Sequence, residues 1–125
     1  AGSRAVALSA ANSAANRVVI FYSSISNTIQ GRVQASATTI IPINGTVTDS
    51  TDFNKIAFKY KSGDLALWIN GTEVATSTTA FTFNAALSEL AFDQGNGSLH
   101  FDGHVKQLVV FKEALSDAEL AALTS

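Results

Sequence analysis

No cysteine occurs in the chain, which rules out a disulfide framework and a thiolate metal site. That suits assembly in a reducing compartment or in a virion, and leaves secretion open. No methionine occurs either, so the chain does not begin at an initiator residue and is expected to be a piece of a longer protein. Charge is sparse: 8 basic and 10 acidic residues give a net charge of −2. The basic residues form no run, so nothing resembles the stripe that neutralises phosphates, and nucleic acid is not an expected partner. No apolar stretch reaches the roughly 20 residues of a membrane span, and no secretory leader is visible. Insertion into a membrane is therefore not expected.

What is present is a core and a strand rhythm. The 125 residues are 46% apolar, and a chain of this size buries roughly two-thirds of its unfolded surface on folding. Strand patterns fall at 4–9, 16–24, 28–36, 38–43, 53–62, 64–69, 72–77, 80–84, 88–93 and 104–112. In 16–24, Val18, Ile20 and Tyr22 share one face and Val19 and Phe21 the other. In 28–36, Ile29, Gly31 and Val33 oppose Gln30, Arg32 and Gln34. The cleanest alternation puts Ile56, Phe58 and Tyr60 on one face and Lys55, Lys59 and Lys61 on the other, the mark of a sheet with one wet side. Leu65, Leu67 and Ile69 oppose Ala66 and Trp68, and Asn70-Gly71 then supplies the two positive-φ positions of a tight hairpin. Pro42 cannot donate to a ladder, so its strand belongs at an edge or ends there.

Only the tail is helical in pattern. Ser116 with Glu119 three residues later has capping-box spacing, and Leu120 and Leu123 give one apolar edge. Many short strands followed by one helix predict an all-β fold: a two-sheet antiparallel jelly-roll sandwich with one short C-terminal helix, residues 1–125 forming a single domain.

Asn44, Asn70 and Asn96 each precede Gly and then Ser or Thr. They fit glycan acceptor sequons, but Asn-Gly is also what turns require, and turns are the expected role. His100 and His104 are four apart, which in extended chain means about 13 Å and too far for one metal without a sharp turn. They are expected to face solvent beside Asp102-Gly103. The polar stretch 93–103 is the expected recognition loop, with Asp93, Asn96, His100 and Asp102 as ligand-binding candidates. Oxygens of Asp93, Asn96 and Asp102, with Ser98 nearby, also make calcium the one candidate cofactor, since that ion takes six to eight oxygens. Trp68 offers a ring on the outer sheet face for stacking on a sugar; alternatively it packs under a loop or the terminal helix, as amphipathic Trp commonly does. Hydrolysis of glycosides needs two facing carboxylates, and no strand here carries two acids two or four residues apart. G-x-S-x-G, the P-loop and a complete dinucleotide fingerprint are absent, so no enzyme activity is expected.

Residues 53–123 resemble the laminin G-like, concanavalin A-like jelly-roll family. The resemblance lies in Ser62-Gly63-Asp64, Asn70-Gly71, Phe101-Asp102-Gly103, Ala114-Leu115 and Ser116–Leu120. The runs "KIAFKYKSGDLALWING" and "VKQLVVFKEALSDAELAALTS" are similar to domains of bacteriophage tail fibres and bacterial surface proteins. The resemblance implies a sandwich that binds a glycan or a cell-surface receptor, in a virion or on an extracellular surface, without catalysis. Related domains begin with a further strand before residues 4–9, for which this chain has no room. That strand is missing, supplied by a neighbouring chain, or dispensed with. An unfilled edge favours association, so a homo-oligomer is expected, a trimer in a fibre. The competing expectation is a purely structural virion or surface-assembly subunit, suggested by apolar residues on both faces of "RVVIFYSS" and "HVKQLVVFK".

Overall fold

The computed structural model describes residues 4–125. Eight strands and one helix follow in order: β1 (Arg4–Ala10), β2 (Ser13–Tyr22), β3 (Thr28–Ala35), β4 (Thr39–Thr46), β5 (Ile56–Lys61), β6 (Asp64–Ile69), β7 (Thr72–Ser77), β8 (Glu89–Ala91) and α1 (Asp117–Thr124). They form two antiparallel sheets, one ordered β4-β3-β2-β1-β8 and the other β5-β6-β7. This is the two-layer sandwich with a C-terminal helix that the alternation predicts.

The core lies between the layers. Val18 from β2, Ile29 and Val33 from β3, and Ile41 and Ile43 from β4 meet Leu65, Leu67 and Ile69 from β6. Ile56, Phe58 and Tyr60 pack on the same cluster from β5. Two glycines permit the close approach. A Cβ on Gly31 would lie 2.9 Å from the Phe58 ring, and one on Gly45 would lie 2.5 Å from Val74 Cγ2. Gly45 is therefore a packing residue inside β4, paired with Ile29, and Asn44-Gly45 is not the turn that its sequence suggests. Pro42 lies on β4, an edge of the larger sheet, where its missing N–H breaks no interior ladder.

Asn70-Gly71 joins β6 to β7 with φ of 50° and 86°, the tight hairpin expected. The first hairpin, between β1 and β2, uses Ala11 and Asn12 at φ 51° and 57°, although Ala has no local means of favouring that region. At the chain end the capping box forms: Glu119 N–H donates to Ser116 Oγ and Ser116 N–H donates to Glu119 Oε1, both at 3.2 Å. The helix buries Leu120 and Thr124, whereas Leu123 is exposed. Its partners on the far face of β6 are Ala66 and Trp68.

Two expected strands are not formed. Residues 80–84 pass from the smaller sheet to the larger as irregular chain. Phe81 and Phe83 still pack on the core, in edge contact at 5.3 Å. Their backbone bonds to side chains instead of a ladder: Phe81 N–H to Ser62 Oγ and Asn84 N–H to Asn16 Oδ1, while the Thr82 carbonyl accepts from Ser36 Oγ. The segment 104–112 likewise lacks a ladder, and Val105 and Leu108–Phe111 are exposed. Beside β1 the three-residue β8 takes only Ala7–Ser9, and the segment 104–112 pairs with none of the strands.

Candidate functional site

The outer face of the five-stranded sheet is built from alternate residues of three strands. β1 contributes the small Ala5, Ala7 and Ser9, β2 contributes Arg17, Val19 and Phe21, and β3 contributes Gln30, Arg32 and Gln34. Antiparallel register sets Arg17 opposite Gln34, Val19 opposite Arg32 and Phe21 opposite Gln30. Small side chains on β1 beside long ones on β2 and β3 leave a trough along the sheet.

Residues 92–101 fold across one end of that trough. Phe101 N–H donates to the Phe92 carbonyl at 2.8 Å, Gln94 N–H to the Ser98 carbonyl at 3.0 Å, and the two phenylalanine rings meet edge to face. Gly95, at φ 91°, lies so close to the sheet that a Cβ would sit 3.3 Å from Ala7 and Ser9, so the loop rests on β1 only because glycine stands there. The buried Arg17 guanidinium anchors the loop by donating to the Gln94 carbonyl. Between loop and sheet is a cleft of about 220 Å³, lined by Ala5, Arg17, Val19, Phe21, Arg32, Gln94 and Leu99.

A hydrogen-bonded polar array borders the cleft. Arg17 Nε donates to Gln34 Oε1 at 3.2 Å, Arg32 Nε to Gln30 Oε1 at 3.0 Å, and Gln30 Nε2 to Asn44 Oδ1 at 2.6 Å. The Arg32 guanidinium stands over the Phe21 ring at 5.0 Å, a cation–π contact that holds both in place. Burial, and after it the charge of Arg32, lowers the pKa of Arg17 from its ordinary value.

The site residues expected from sequence have other positions. Trp68 is only 8% exposed and lies against Leu120 of the helix, so its ring has no open face for a sugar. The packing alternative is the one realised, and its Nε1 is buried without a hydrogen-bond partner among the described residues. Asp93 is buried and accepts the Gly95 N–H at 2.6 Å. Asn96 Oδ1 accepts from Ser98 N–H and Oγ. One oxygen of each side chain is thus engaged inside the loop, while His100, Asp102 and His104 are exposed. Among the described residues no three His, Cys, Asp or Glu side chains gather as metal ligands. The loop does border the candidate site, but through Gln94 and Leu99. Arg17, Arg32 and Phe21 escape a reading strand by strand. Alternation places each on its face, and only the pairing of β2 with β3 brings them together.

The fold is a two-sheet antiparallel sandwich closed by a short C-terminal helix. A family model, the laminin G type of the "Concanavalin A-like lectin/glucanases superfamily", matches residues 1–121, and the chain belongs to that superfamily. No curated protein matches it in sequence. Among solved structures it is similar to the 2.1 Å crystal structure of an S-layer domain-containing protein (residues 221–444) from Clostridium thermocellum. Identity is 16% and the TM-score 0.47, over 95% of this chain and 61% of that one. The chain thus spans less than two-thirds of that structure's length.

Proposed function

We propose that the chain is a non-catalytic binding domain that takes a glycan, free or on a cell-surface receptor, into the cleft on the outer face of the five-stranded sheet. The cleft itself supports this reading: an apolar floor of Ala5 and Val19, the Phe21 ring, and fixed hydrogen-bonding groups converge beneath one loop. Among the described residues no carboxylate lines it, so the acid pair that glycoside hydrolysis needs is not at hand there. At about 220 Å³ it is small for a ligand pocket. It suits one sugar residue, and affinity then comes from repetition of the domain on one particle, such as a phage tail fibre or a cell-surface array. A glycan array probed with the wild type, as monomer and as fused trimer, tests this against Phe21→Ala. Binding that Phe21→Ala weakens without unfolding supports it; an array blank for both forms refutes it.

A second reading rests on a separate observation. Val105, Leu108, Val109, Val110 and Phe111 are all exposed. Val110 and Phe111 also border a more open hollow of about 440 Å³ with Leu8, Tyr60 and Leu90. An apolar run of this kind fits a packing face between subunits of a virion or surface assembly. Light scattering separates the readings: a tight multimer without sugar affinity favours the structural subunit.

A further inference from the structure

The two arginines beside the cleft stand out in a chain of net charge −2. The ion pair found among the described residues, Lys59 with Asp64, lies on the other sheet, and no carboxylate pairs with Arg17 or Arg32. The hydrogen bonds of the two guanidiniums use Nε of each and one terminal nitrogen of Arg17. All their acceptors are neutral amide or carbonyl oxygens. One terminal nitrogen of Arg17 and both of Arg32 make no such bond among the described residues. Arg17 is buried, and its like-charged neighbour adds repulsion that nothing nearby offsets. A buried cation is ordinarily paired. Here the counter-charge is lacking at the one place where a cleft opens between the two.

We propose that the cleft recognises an anionic substituent of a glycan, a carboxylate or sulfate group on one sugar residue, held between Arg17 and Arg32. This rests on the glycan-binding reading and narrows it to acidic sugars. The planar guanidinium fork matches carboxylate and sulfate oxygens, and an anion there relieves the repulsion between the two cations. Phe21 fixes Arg32 from below, and the Gln34 and Gln94 contacts fix Arg17, so little side-chain freedom is lost on binding. A two-arginine site takes one charged group and not a polyanion track, as the lack of a basic stripe already indicates.

The experiment is a titration with matched sugars: sialyllactose against lactose, galacturonic acid oligomers against galactose oligomers, and a sulfated against an unsulfated disaccharide. Wild type and Arg32→Ala are compared, with Arg32→Lys as the conservative variant and thermal melts as the folding check. Arg32 is the residue to change, since Arg17 anchors the loop. Binding of an acidic member, roughly tenfold to a hundredfold weaker in Arg32→Ala and weakened by salt, supports the proposal. The carboxylate and sulfate arms tell which anion is read. Equal binding of acidic and neutral members overturns it and leaves the glycan-binding reading standing. No binding of any sugar overturns both. Thermal protection by inorganic sulfate as strong as by the acidic sugar at equal concentration overturns the sugar as ligand.

Discussion

Gly45→Ala tests the closest approach of the two sheets. The added methyl would meet Val74 Cγ2 at 2.5 Å and Ile69 Cδ1 at 2.9 Å, where carbon atoms ordinarily rest about 3.5–4.0 Å apart. One of the groups must move by about 1 Å. Val74 is on β7, an edge strand of the smaller sheet, and Ile69 is in the core. Overpacking of this kind costs about 1–3 kcal/mol. Replacing glycine in a strand returns about 0.5–1 kcal/mol of backbone entropy, so the expected net loss is about 0.5–2 kcal/mol. At this chain length that corresponds to roughly 2–10 °C in Tm. Val74→Ala removes the nearer obstacle and costs about 1 kcal/mol by itself. In that background Gly45→Ala is expected to be within about 0.5 kcal/mol of neutral, giving a coupling of about 1 kcal/mol or more. Urea unfolding of the four proteins, followed by circular dichroism, measures the cycle. Additivity, or a stabilising Gly45→Ala in the wild-type background, would refute the contact between β4 and β7 and with it the stacking described.

Four further outcomes are expected. Trp68, as the single tryptophan, reports the helix contact directly: its emission is blue-shifted and poorly quenched by iodide, and Leu120→Ala moves it to the red. Ser116→Ala removes the capping box at the start of α1 and costs about 1 kcal/mol, read by thermal melting. Burial raises the Tyr60 phenol above its ordinary pKa. The unfolded chain therefore loses that proton first, and stability declines as pH rises past about 10; in Tyr60→Phe this decline is smaller. Because Asp93 and Asn96 are occupied inside their loop, millimolar calcium or a chelator is expected to leave the thermal midpoint unchanged, and a calcium-dependent rise would refute that.

Strand existence and facing were legible wherever the apolar period was strong. The alternation at 56–60 and 65–69 separated the two faces, but the face expected to be wet is covered by the helix at Ala57, Ala66 and Trp68, and Lys59 is only 10% exposed. The hairpin at Asn70-Gly71 and the capping box at Ser116 were legible because each is a local device, complete within four residues. The same local rules misled at Asn44-Gly45. There the dipeptide continues a strand, and glycine answers to a side chain from the other sheet. They misled again at 104–112, whose pattern is that of a strand although it joins neither sheet.

By itself, then, the sequence determined which residues alternate, where the chain turns tightly and where its helix starts, since those depend on neighbours within a few positions. Tertiary structure decided what those elements face: Trp68 covered by the helix, the 92–101 loop laid on β1, and Arg17 and Arg32 set beside one cleft. Register and layer stacking are long-range choices, settled by which edges are free and which volumes fit, and no local period encodes them.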